Sequence, residues 1–136
     1  MKFIQRAFSG QDDLRAMETL ARKCSASHLH TLDLPYRFSS WALDDPQNIR
    51  LWTDENGHLI AWGVMQVPFD ALDFVSLPEM ESEILPQVLA WADKRSLAHP
   101  DMIPLGTPDD KPCWFANVFA NQTIQLRILE AGGFTS

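Results

Sequence analysis

A few residue types in this chain could do chemistry. Asp73 stands in an otherwise apolar stretch, ALDFVSL, at 71 to 77. A carboxylate drawn into a core loses hydration, so its pKa rises and it can trade a proton near neutrality. An edge or groove position facing water is the competing reading. His28 and His30 are spaced like a metal pair, but no further ligand set with zinc-like spacing joins them, and solvated loop histidines explain them better. Cys24 and Cys113 are the two thiols, and neither sits in a CxxC. Distant cysteines of an intracellular chain read as separate reduced residues. Tyr36, Phe38, Trp41, Trp52 and Trp62 could line a substrate groove, although such rings are more often core or interface. Glu79, Glu81 and Glu83 crowd the segment SLPEMESEIL, where they read as ordinary acids offsetting a helix N-terminal dipole.

The chain bounds these options. Its 136 residues fit one domain able to bury a core, and 46% apolar content with five Trp marks a packed protein. A net charge of -7 with scattered Lys and Arg argues against a nucleic-acid surface. The densest basic spot, DKR at 93 to 95, reads as a solvated helix end. No apolar run is long enough to span a membrane, and MKFIQRAFSG has no apolar signal core. A soluble cytoplasmic protein is the expectation.

The elements that must position those side chains follow from periodicity. KFIQRA, 2 to 7, alternates and predicts a strand. Asp12 or Asp13 can cap a helix in which Leu14, Met17, Leu20, Ala21 and Cys24 recur at helical spacing. Residues 25 to 47 are ambiguous, with a short helix at 36 to 43 between Pro35 and Pro46. NIRLWTD, ENG and HLIAWGVMQV predict a hairpin turning at Asn56-Gly57. Its second strand is apolar on both faces, Leu59, Ala61 and Met65 on one, Ile60, Trp62 and Val64 on the other, as in a covered central strand. A further strand follows at 71 to 77. Ile84, Leu85, Val88, Leu89 and Ala92 then predict a helix with Pro86 in its first turn and 79 to 84 as an irregular lead-in. DMIPL, 101 to 105, suits an edge strand, GTPDDKPC a loop, and 114 to 133 a last helix capped by Gly132-Gly133. This order gives an α/β (α+β) domain, a mixed sheet with helices on both faces.

LWTDENGHLIAWGVMQV, DFVSLPE with its following helix, and RILEAGGF together resemble the GNAT superfamily of acetyl-CoA-dependent N-acetyltransferases. PYRFSSWALDDPQN, AWGVMQVPFDALDF and PCWFANVF look like the amino-terminal half of bacterial proteins with two such domains in tandem. The resemblance implies a central mixed, mostly antiparallel sheet. It also implies that 1 to 136 is one GNAT-like domain lacking its last strands, cut from a longer protein with a second GNAT-like domain in cis. The implied reaction moves an acetyl group from acetyl-CoA to a small-molecule or peptide amine.

That reaction needs a cradle for the cofactor's diphosphate, a donor for the oxyanion, and proton transfer. The family's glycine-containing, basic cradle corresponds here to SLPEMESEIL, which has neither glycine nor cation. The family's acid, a tyrosine five residues before the Phe of its GF signature, corresponds to Leu129. The candidate bases are acids near the third strand, above all Asp73, and His28 or His30; the resemblance makes Tyr36, Phe38 and Trp41 the candidate substrate contacts and the backbone N–H groups of Phe74, Val75 and Ser76 the alternative cofactor contacts. The leading expectation is a domain that binds acetyl-CoA poorly and plays a structural or substrate-shaping role. A non-enzymatic module that dimerises through an unclosed sheet edge is the other.

Overall fold

The computed structural model describes residues 2–24, 45–66, 71–98, 115–116 and 123–134. The expected short helix at 36 to 43 and edge strand at 101 to 105 lie outside them.

Five strands, β1 (Ile4–Ala7), β2 (Ile49–Thr53), β3 (Leu59–Gln66), β4 (Ala71–Ser76) and β5 (Phe115–Ala116), form one sheet in that spatial order. The first four are antiparallel to their neighbours, and β5 runs parallel to β4. Three α-helices are described: α1 (Gln11–Lys23), α2 (Glu81–Ala98) and α3 (Thr123–Ala131). A parallel pair needs a crossover, and α2 lies within the one that joins β4 to β5.

The β2–β3 hairpin forms as its turn residues dictate. Gly57 takes φ 83, which costs a residue without Cβ little. Its N–H donates to the Asp54 carbonyl at 3.1 Å, and Asp54 Oδ1 accepts from the N–H groups of Asn56 and His58. One expectation fails here. Thr53 pairs with Leu59 and Trp52 with Ala61, so Ile60 is an extra residue, a β-bulge. The bulge shifts alternation by one, and Leu59 packs with Trp62 and Val64, not with Ala61 and Met65.

Alternation then divides the core. On one face Met17, Leu20, Ala21 and Cys24 of α1 cover Ile49, Leu51, Trp62, Val64 and Val75. Trp62 Nε1 donates to the Met17 carbonyl at 3.0 Å, satisfying a buried donor while tying helix to sheet. On the other face Ile84, Leu85, Val88, Leu89, Trp91 and Ala92 of α2, with Leu129 of α3, cover Trp52, Ala61, Met65, Leu72 and Phe74. Gly63 leaves room for Trp91, since a Cβ there would lie 2.9 Å from the indole.

The helix ends depart from expectation in part. The N-cap of α1 is Gly10, and Asp13 lies in the first turn, accepting from the Ser9 N–H and hydroxyl. The helix α2 begins at Glu81 after a 3₁₀ turn at Pro78–Met80, so Pro86 is inside it. Pro86 is exposed, so its ring points to solvent and the cost is one missing N–H bond. Residues 115–116 pair with Ala71 and Leu72 as a strand where a helix from 114 was expected, tertiary pairing overriding local pattern. The α3 cap matches expectation. Gly133 takes φ 95, its N–H donates to the Glu130 carbonyl, and the Phe134 N–H reaches back to the Leu129 carbonyl at 3.0 Å.

Candidate functional site

In sheets with parallel strands, ligands collect at the strands' carboxyl ends, where a helix N-terminus follows. Here that place is the end of β4, the 3₁₀ turn and the start of α2, flanked by α3. The described β4–β5 pairing reaches Ala71 and Leu72, while β4 continues to Ser76.

Three buried polar side chains meet at this junction. Ser76 is 0%, Gln125 1% and Glu81 4% exposed. Gln125 Nε2 donates to Glu81 Oε1 at 2.5 Å, and Ser76 Oγ lies at a long 3.5 Å from the same oxygen. The contact draws together β4, the first residue of α2, and α3. Burial pushes the Glu81 carboxyl above its ordinary value, against the lowering effect of the Gln125 and Ser76 hydrogen bonds. Glu79 and Glu83 point into water. Cys24, at the end of α1, is buried. Its thiol is pushed up chiefly by burial, with Lys23 opposing and Glu79 and Glu81 adding to the rise. A thiol so held is a poor nucleophile.

The backbone at the end of β4 alternates in direction. The Leu77 N–H donates to the Ile60 carbonyl at 3.0 Å. Antiparallel pairs alternate, so Val75, opposite Trp62, directs its N–H to β3, whereas Phe74 and Ser76 direct theirs to the β5 side.

Asp73 is 2% exposed on β4, and its side chain lies on the α1 face of the sheet, opposite to Glu81. Gln66 Nε2 donates to Asp73 Oδ2 at 2.9 Å, so the competing reading, a water-facing edge position, does not hold. Tyr36, Phe38, Trp41, His28, His30 and Cys113 lie outside the described residues. Trp52 and Trp62, the other members of the aromatic set, are core residues at 0% and 1% exposure. Leu129 is buried in the core beneath α2. Arg95 is a tether: it donates to Asp45, Gln47 and Asn48 and holds the start of β2 to α2.

In the sequence Glu81 reads as an ordinary acid offsetting a helix dipole, and Gln125 carries no expectation. One signal was there. Gln125 precedes Leu129 by four residues, so a polar group sits on the stripe that buries α3. Among the described residues no cluster of three His, Cys, Asp or Glu could hold a metal ion. No described helix is long and apolar enough to cross a membrane.

No family model matches the sequence, and no curated protein matches it. Solved structures do match in shape. The crystal structure of a candidate phosphinothricin N-acetyltransferase aligns over 98% of this chain and 84% of its own, with TM-score 0.65 and 14% identity. AAC(6')-Iy, solved with the bisubstrate analog CoA-S-monomethyl-acetylneamine, aligns over 100% of this chain and 92% of its own, with TM-score 0.61 and 14% identity. AAC(6')-Ih of Acinetobacter baumannii, an aminoglycoside 6'-N-acetyltransferase, aligns at TM-score 0.50 and 14% identity over 99% and 92%. Sequence identity this low speaks to shape alone: the fold is that of the GNAT N-acetyltransferases.

Proposed function

We propose that this chain is a GNAT-type acyltransferase domain whose cofactor cradle is degenerate, acting as a structural or substrate-shaping domain beside a competent second domain. The parent reaction is transfer of an acetyl group from acetyl-CoA to a small amine. One observation carries the reading. At the turn where a diphosphate would rest on helix N–H groups, the chain places its own buried carboxylate, Glu81. The segment offers no glycine for close backbone approach and no cation, and Glu79 and Glu83 flank it. A helix N-terminus favours an anion by about 1 kcal/mol, and the exposed acids Glu79 and Glu83 beside it oppose one by a similar amount. The residues present do not fit a diphosphate.

A second reading, a working transferase, draws support from Asp73, a carboxyl buried on β4. In that reading Asp73, braced by Gln66, is the base.

Calorimetric titration with acetyl-CoA, followed by thiol release with a panel of small amines, separates the two. The degenerate reading predicts no saturation below millimolar and no thiol release. A micromolar Kd with amine-dependent thiol release overturns it. Such a Kd also stabilises the fold by about 2.7 kcal/mol at a hundredfold excess over Kd, an independent thermal check.

A further inference from the structure

Glu81 is a buried carboxyl that no cation among the described residues pairs with. Both of its described hydrogen bonds come from neutral donors, and both go to Oε1. The charged and titratable groups around it do not neutralise it. From α1 comes the Cys24 thiol, with Lys23 beside it acting on that thiol. The 3₁₀ turn contributes Glu79 and α2 contributes Glu83, both exposed and both acidic. On β4, Asp73 faces the opposite side of the sheet. On α3, Arg127 and Glu130 are exposed, whereas Gln125 faces inward.

We propose that the Glu81 carboxyl is a protonation-dependent latch that fastens α3 to the N-terminus of α2 and the end of β4. In the neutral form, Oε1 keeps accepting from Gln125 while the cost of burying a charge is gone. In the ionised form, that cost is met by swinging the side chain into water, which a residue at the first position of a helix can do by rotamer change alone. The swing breaks the contact between Glu81 and Gln125, which is 1% exposed and spans 44 residues of sequence to tie α3 to α2. The α3 helix has nine residues, few for independent stability, so it depends on docking. The latch is a property of the fold and holds whether or not the crevice takes a cofactor.

The sign follows from linkage. A carboxyl raised above its unfolded value of 4.5 binds its proton more tightly in the docked state. Docking is firmest below that pH and weakens as pH rises through the folded value.

Hydrogen exchange of the full chain, corrected for intrinsic rates, tests this. Protection of amides 123–131 in the wild type is expected to fall several-fold from pH 4.5 to neutrality, while the amides of β3 hold steady. Glu81→Gln, a neutral isostere, is expected to keep protection high and flat across that range. Glu81→Ala is expected to keep it low and flat. A purely structural role also predicts loss in Glu81→Ala, but no pH slope in the wild type. A flat wild-type profile, or a Glu81→Gln profile that tracks the wild-type slope, overturns the latch. Should Glu81→Ala not fold, the wild-type and Glu81→Gln profiles still decide.

Discussion

Two buried carboxyl groups sit in the first turns of the two long helices, on opposite faces of the same sheet, and they are held in opposite ways. Asp13 of α1 is 6% exposed and accepts from both terminal guanidinium nitrogens of Arg6, Nη1 and Nη2, with the Ser9 N–H and hydroxyl completing its shell. Its pKa is lowered from 3.8 to about 2, first by the Arg6 hydrogen bonds. Glu81 of α2 is 4% exposed, its partners among the described residues are an amide and a hydroxyl, and its pKa is raised. Burial acts on both in the same direction. The cation decides, making Asp13 a permanent anchor of β1 to α1 and leaving Glu81 able to change charge where β4, α2 and α3 meet.

The largest effect is expected from breaking the anchored side. Asp13→Asn removes a charge that stabilises the fold at neutral pH. The gap between 3.8 and about 2 corresponds to about 2 kcal/mol, of which roughly 1–2 survives because Arg6 is 39% exposed and screened by solvent. Its sign is fixed by the depressed pKa. The contribution is complete above pH 3.8 and fades as pH falls toward about 2, so wild type and variant converge there in chemical denaturation.

Next comes converting one side into the other. Gln125→Lys brings an ammonium to Glu81, and the expected result is titration of Glu81 below 4.5 with about 1 kcal/mol of stabilisation at neutral pH. Glu81→Gln removes the buried charge without replacing it. It is expected to stabilise at neutral pH and to be neutral below pH 4.5, the reverse of the Asp13 profile. Smallest is Ser76→Ala. Its hydroxyl lies 3.5 Å from the carboxylate, near the limit of a hydrogen bond, so a loss of about 0.5 kcal/mol or less is expected in thermal melts.

The same contrast explains what could be read from the chain alone. The anchor side is local: Arg6, Ser9 and Asp13 lie within eight residues, and strand, turn and amphipathic helix follow one another in legible order. The hairpin was legible because Asn56-Gly57 sits between alternating segments, and the α3 cap because glycine takes φ 95 at no steric cost. The junction was not legible. Glu81 and Gln125 are 44 residues apart, and only the fold reveals that they touch. The strand β5 has two residues inside a stretch that reads as helix, so its existence depends on pairing with β4. The bulge at Ile60 leaves no mark in the alternation it interrupts, and Leu59 was assigned to the wrong face for that reason. For Asp73 the sequence leaves burial and a water-facing position both open, because the Gln66 side chain that supports the buried carboxyl comes from the neighbouring strand.

The most direct test is a carbon-detected NMR titration of the side-chain carboxyls, with Asp13 and Glu81 followed in one sample. The account predicts that Asp13 titrates near pH 2 and Glu81 above 4.5, with the amides of α3 shifting alongside Glu81 and not alongside Asp13. A Glu81 carboxyl that titrates below 4.5, or α3 amides indifferent to it, would contradict the account.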